Sequence, residues 1–258
     1  MMLTPWLAAY LMAVSVDAGV VAKADAGVPT VDAGVPVVQK AALAPDVKAL
    51  VDRVQAFYEK TQDFTADFRQ DYFYKAFKRT QTSSGKVLFR KPQLPTPALM
   101  RWEYEKPSPK TFVLAGDRVL AHDPEAKLVT AASISTNQLS ASVTFLFGVG
   151  KLENEFSIVK KACPKCTGIQ LEMTPLVADS RFKRILLEVD EKTGMVTKST
   201  VIDPDGSENA ITFLNLKTNV GVTEAAFKIS PPPGTQVQDF RTGEKMTLPA
   251  KDPVDAGK

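Results

Sequence analysis

Three short stretches of this 258-residue chain carry side chains with the types and spacing for chemistry. Cys163-Pro164-Lys165-Cys166 has the spacing of a redox site or of half a zinc site. A thioredoxin-type pair opens a helix after a strand, whereas this one falls between two strand-like runs. Tetrahedral zinc asks for four ligands, and with two cysteines and one histidine in the whole chain no metal is assigned, although a carboxylate-only cation site escapes that count. In an oxidising compartment Cys163 and Cys166 read best as a disulfide across a hairpin turn, a loop too short to add much stability. His122 is the one histidine available as a base, in Leu120-Ala121-His122-Asp123-Pro124. No Gly-x-Ser-x-Gly elbow accompanies it, and a strand end before Asp-Pro reads as a surface or turn position. Scattered carboxylates give no glycosidase pair. The reading is therefore a non-enzyme with no catalytic residue and no cofactor. Arg90-Lys91-Pro92 ends a strand, and alternation puts Arg90 and Lys91 on opposite faces. One cation should point to the concave side of a curved sheet, where Lys91 either does a task or snorkels to the rim and is merely solvated.

The rest of the chain must supply the frame for these groups. Hydrophobic residues make up 44% and charged residues 24%, which excludes collagen, coiled coil and wholesale disorder. With 32 Lys and Arg against 29 Asp and Glu, the formal charge of +3 is too balanced for the broad basic face that nucleic acid attracts. The apolar run from Met1 to Val16 is too short to span a bilayer and suits a signal peptide over residues 1–18, with cleavage after Ala18 or Ala24. No cysteine follows it to be acylated. Residues 19–45 are a linker: from Asp17 to Pro45, 24 of 29 residues are Ala, Val, Gly, Pro or Asp, with no aromatic, and Asp-Ala-Gly recurs at Asp17, Asp25 and Asp32. Such a segment buries too little to offset backbone entropy and is expected to be disordered. The folded domain is expected over residues 46–240, and residues 241–258 as a flexible tail.

Within that domain, Asp46 is the expected N-cap of an amphipathic helix with Val47, Leu50, Val51, Val54, Phe57 and Tyr58 on one face. Period two follows, with Phe64, Ala66, Phe68 and Tyr72 on one side of a strand. Ten more strands are expected at residues 86–91, 99–105, 110–115, 118–122, 127–131, 155–161, 168–174, 181–189, 196–203 and 209–216, separated by Gly-Asp, Asp-Pro and Thr-Gly turns. A helix over residues 137–147 carries Leu139, Val143 and Leu146, and a single turn starts at Thr223. The fold is mainly β (α+β): an unclosed antiparallel half-barrel of about eleven strands, its open side covered by a helical lid. Met100, Trp102 and Tyr104 share one face of their strand, as do Val87 and Phe89 of theirs. Periodicity alone favours a filled core over a ligand cavity.

Taken in order, the stretches beginning Phe64-Thr65-Ala66-Asp67-Phe68-Arg69-Gln70, Gly85-Lys86-Val87-Leu88-Phe89-Arg90-Lys91-Pro92 and Met100-Arg101-Trp102-Glu103-Tyr104-Glu105-Lys106-Pro107, then Gly116-Asp117 through His122-Asp123-Pro124, and Phe227-Lys228-Ile229-Ser230-Pro231-Pro232-Pro233-Gly234, resemble the LolA family of periplasmic lipoprotein carriers. The resemblance covers Val47 to Phe240. It implies an apolar cavity that takes the acyl chains of outer-membrane lipoproteins released by a LolCDE-type inner-membrane ABC transporter, and a hand-over to an outer-membrane acceptor such as a LolB-like receptor. It also implies a periplasmic monomer. Phe68, Val87, Phe89, Met100, Trp102 and Tyr104 become candidates for the cavity wall, and Leu50, Val54, Phe57, Leu139, Val143 and Leu146 for the lid. The family places an arginine before the proline, where it latches the lid by hydrogen bonds. Here Lys91 holds that position, with three donors on a flexible stem instead of a planar fork, so a looser latch is expected.

Two other classes fit the same fold. One is a carrier of another lipid or a glycolipid, which co-purified ligand would reveal. The other is an RseB-like envelope-stress sensor, against which the lack of a second folded domain counts. A secreted hydrolase ranks last, because His122 has no visible partner.

Overall fold

The computed structural model describes residues 42–133 and 151–249. Helix α1 spans Pro45–Lys60. It starts one residue before Asp46, because proline's missing N–H costs nothing in the first turn, where Asp46 faces the positive end of the helix dipole. The cap is Ala44, without a side-chain bond. Val47, Leu50, Val51, Val54 and Tyr58 are buried, as the helical spacing predicts, and Phe57 is half-buried against the same core.

Thirteen strands follow, two more than the sequence suggests: β1 (Asp63–Tyr74), β2 (Arg79–Arg90), β3 (Leu99–Lys106), β4 (Lys110–Ala115), β5 (Arg118–Asp123), β6 (Leu128–Ser133), β7 (Phe156–Lys161), β8 (Ile169–Pro175), β9 (Arg184–Val189), β10 (Val196–Ile202), β11 (Glu208–Thr218), β12 (Gln236–Asp239) and β13 (Lys245–Thr247). A four-residue helix, α2 (Leu152–Glu155), precedes β7, and a 3-10 turn (Glu224–Phe227) falls where Thr223 announced it. All strands form one sheet in the order β13-β12-β6-β5-β4-β3-β2-β1-β11-β10-β9-β8-β7. Every described neighbour pair is antiparallel except β12 with β6. Leu114 and Val119 from one wing share a single buried cluster with Phe156 and Ile158 from the other and with α1, so the sheet curls around the helix. The sheet remains open, with β13 and β7 as its edges.

The stretch after Phe240, expected to be a loose tail, contains β13, which pairs with β12 from Gln236 opposite Thr247 to Gln238 opposite Lys245. Two short strands with little apolar alternation leave no sequence signal. To reach β6 from β11, the chain crosses the convex face. Phe227 is buried there with Leu99 and Val113, flanked by Leu88, Leu120, Val222 and Ile229, and Arg101 donates to the carbonyls of Ala226 (3.3 Å) and Lys228 (3.0 Å). The expected lid residues Leu139, Val143 and Leu146 lie outside the described residues, as do the leader and most of the linker. Among the described residues no helix is long and apolar enough to cross a membrane.

Candidate functional site

The concave face is built in rungs that strand register sets. Phe64 pairs with Phe89, Phe89 with Met100, Met100 with Leu114 and Leu114 with Val119. The next rung runs Ala66, Val87, Trp102, Phe112, Ala121. The third runs Phe68, Gly85, Tyr104, Lys110, after which Gln70 faces Ser83 and Tyr72 faces Gln81. The face therefore grades along the strands from wholly apolar to aromatic and polar. Gly85 is required in the third rung: a Cβ there would lie 1.9 Å from the Glu103 carbonyl oxygen. The Phe68 ring occupies this region, with its centroid 4.9 Å from that of Trp102 and 5.0 Å from that of Tyr104, edge-on to both.

All six expected wall residues meet on this face. Phe68, Val87, Phe89, Met100 and Trp102 are buried, and Tyr104 is half-buried against them. They pack against Leu50, Val54 and Phe57 of α1 in one cluster, so the protein's own side chains fill the space expected for acyl chains. At the polar end the Tyr104 hydroxyl donates to Gln70 Oε1 (2.9 Å), and Gln70 Nε2 donates to the buried Asn209 Oδ1 (2.8 Å). Beyond this row lies a cleft of about 30 Å³, space for roughly one water, lined by Tyr72, Tyr74, Gln81, Ser83, Lys110 and neighbours. The Tyr72 hydroxyl donates to Asp203 Oδ2 (2.5 Å), and burial raises the Asp203 carboxyl above its ordinary value although that bond opposes the rise.

Helix α1 is tied to the sheet along its length, beginning at its first turn, where Lys160 Nζ stands 3.8 Å from the Asp46 carboxylate. The β9–β10 turn abuts its middle: Gly194 has φ +80° and a Cβ there would stand 2.4 Å from the Arg53 carbonyl oxygen, while Arg53 donates to the Glu191 carbonyl. Tyr58 Oη accepts the Val196 N–H nearby (3.3 Å). At its C-terminal end the orphan carbonyls are taken one by one. Thr61 Oγ1 donates to Phe57 O (2.8 Å), Lys91 Nζ to Glu59 O (2.7 Å) and Asn219 Nδ2 to Lys60 O (3.4 Å). The Lys91 N–H also donates to Gln62 O (2.8 Å) and Asn219 Oδ1 accepts the Gln62 N–H (2.7 Å). An ammonium at a helix C-terminus meets the negative end of the dipole. Partial burial lowers the Lys91 pKa, opposed by the Glu59 charge. Arg90 points to the other face, 3.9 Å from the Glu224 carboxylate. Asn219 was not foreseen from the sequence, although Asn219-Val220-Gly221 is turn chemistry and its φ of +56° suits asparagine.

Cys163 and Cys166 are joined as a disulfide across the β7–β8 turn, with the Cys166 N–H donating to Cys163 O (3.0 Å). His122 departs from the surface position expected of it. It is half-buried, one residue before the end of β5 and opposite Thr111 and Val129, with Nε2 buried and without a hydrogen-bond partner.

The site is thus a curled sheet whose graded apolar face packs against a helix that polar contacts hold at both ends and in the middle. Comparison with known proteins names the family. Residues 59–230 match the family described as outer membrane lipoprotein carrier protein LolA, two thirds of the chain, and the chain belongs to that family. It is 28% identical over 178 residues to an outer-membrane lipoprotein carrier protein of Dechloromonas aromatica, covering 69% of this chain and 81% of that one. It is 29% identical over 161 residues to the protein of that description in Cupriavidus necator, covering 62% and 72%. Among solved structures, an uncharacterized conserved protein from Thermus thermophilus superposes with a TM-score of 0.48 at 14% identity, covering 74% of this chain and 98% of that one, a likeness too loose to bear on function.

Proposed function

We propose that this protein is a periplasmic carrier that takes the acyl chains of lipoproteins onto its concave face and ferries them from the inner to the outer membrane. The observation that carries the reading is that α1 lies in one apolar cluster with the graded face of a LolA-family sheet. Each buried methylene contributes about 0.8 kcal/mol, so a multiply acylated protein cannot cross water unaided at a useful rate. Release is as necessary as shielding. A face that the protein's own helix refills makes helix burial compete with lipid burial, so neither state is a deep trap. The work is binding and release, with no bond made or broken. A LolCDE-type transporter on the donor side and a LolB-like receptor on the acceptor side are the matching partners.

The test is release. Inner-membrane vesicles carrying a triacylated lipoprotein and its ATP-driven transporter are incubated with the protein, and the supernatant is separated by gel filtration. A soluble complex with lipoprotein is expected. Lipoprotein that stays with the vesicles overturns the reading, and release of free lipid or glycolipid alone makes the protein a carrier of a different cargo.

A further inference from the structure

Phe77 is 79% exposed at the tip of the β1–β2 hairpin. The turn from Lys75 to Lys78 closes with the Lys78 N–H on Lys75 O (3.3 Å) and a φ of +46° at Lys78, which leaves Ala76 and Phe77 at its two central positions. Asn, Asp, Gly or Ser suits such positions, and a phenyl ring there gains no packing within the protein. Lys75, Lys78 and Arg79 surround it, and no salt bridge among the described residues uses any of the three. Lys75 leans on the β10–β11 turn, where Asp205 shares its charge, so Lys78 and Arg79 are the cations free to face outward.

On one side the hairpin also stands free, while on the other β11 follows β1 as far as Phe73 opposite Glu208. Strand β3 accompanies β2 only as far as Ser84, opposite Lys106, and residues 79–83 of β2 continue without a neighbour on that side. Five residues at about 3.3 Å each carry the tip about 17 Å past the end of β3. Along this stretch, Tyr72, Tyr74 and Gln81 line the cleft at the polar end of the concave face.

We propose that this tip is a membrane-interface contact: Phe77 enters the headgroup layer of an anionic phospholipid bilayer while Lys78 and Arg79 meet lipid phosphates. Aromatic rings favour that layer, and each cation near an anionic surface adds to the attraction. One ring and two cations give a touch and not an anchor, since even a whole myristoyl chain binds only marginally. Contact there would bring the polar end of the concave face to the lipid surface. This goes beyond the carrier reading and does not depend on the identity of the cargo.

The experiment uses the exported chain and vesicles of phosphatidylethanolamine with about one third phosphatidylglycerol, against vesicles of phosphatidylcholine alone. The only other tryptophan after the leader is Trp102, which is buried, so Phe77→Trp reports on the tip. Its emission is expected to shift to the blue with the anionic vesicles only and to be quenched by lipids brominated near the headgroup. Co-sedimentation with the anionic vesicles is expected to fall about tenfold in Phe77→Asp. It should be unchanged in Leu94→Ser, which removes the 98% exposed Leu94 from the loop at the other end of β2. No blue shift, equal sedimentation of Phe77→Asp and the unaltered chain, or an equal loss in Leu94→Ser overturns the proposal. Circular dichroism confirms that each variant is folded. Because no lipoprotein is present, failure here is distinct from failure of lipoprotein release.

Discussion

Replacing Lys91 with leucine should loosen the C-terminal end of α1 by a predictable amount. The change removes the ammonium that donates to Glu59 O at 2.7 Å and leaves that carbonyl to water. A hydrogen bond from a charged donor contributes about 1.5–3 kcal/mol in general, and water reaches this end of the helix, so about 1 kcal/mol is the fair share. That corresponds to about a fivefold rise in the population with the helix end detached. Amide exchange through the last two turns of α1 should quicken by that factor, with the first turn, near Asp46 and Val47, hardly affected. If the closed helix excludes cargo, the same fivefold gain appears as tighter binding of an acyl ligand, because apparent affinity scales with the competent fraction. Lys91→Arg should restore the slow exchange. Unchanged exchange in Lys91→Leu refutes the latch. Faster exchange with weaker acyl binding would instead place Lys91 in contact with the cargo.

Gly194→Ala forces a Cβ into the Arg53 carbonyl at a left-handed backbone position, and should lower stability in chemical denaturation by more than about 2 kcal/mol and release α1. Cys163→Ser with Cys166→Ser opens a loop so short that chain entropy limits the loss to about 2 kcal/mol, so a folded variant with a modestly lower Tm is expected and an unfolded one would contradict this. Asp203 has a raised pKa in the folded protein, so the native state holds its proton longer than the unfolded chain does. Stability should therefore fall, relative to Asp203→Asn, as pH rises through the window above the ordinary value of 3.8, and the difference should level off below it in denaturation curves taken at several pH values.

The sequence shows the parts of this fold that alternate cleanly. Val47, Leu50, Val51 and Val54 mark α1, and Phe64, Ala66 and Phe68 mark β1, because a dry face repeats with the period of its element. Half of β2 leaves no such trace, since its concave positions Gln81, Ser83 and Gly85 are polar or small: Gln81 and Ser83 serve the polar end, and at Gly85 any side chain would strike the Glu103 carbonyl. The cluster around Phe227 on the convex face could not be read, because it joins residues of β3, β4 and the returning chain that lie more than a hundred positions apart. Strands β12 and β13 carry too few apolar residues to show a period. The candidate wall residues were legible as one face of each strand, and alternation put one of Arg90 and Lys91 on that side, whereas a contact between Lys91 and the helix came from resemblance alone; no property of Arg90-Lys91-Pro92 states that an α-helix ends 2.7 Å from that ammonium.

The most direct measurement of the carrier reading is native mass spectrometry of the protein isolated from its own envelope without detergent exchange. The reading predicts a population heavier by the mass of a whole triacylated lipoprotein, which dissociates to the bare chain when the acyl chains are extracted. A bare chain as the sole species, under conditions in which the cell is exporting lipoproteins, would contradict it.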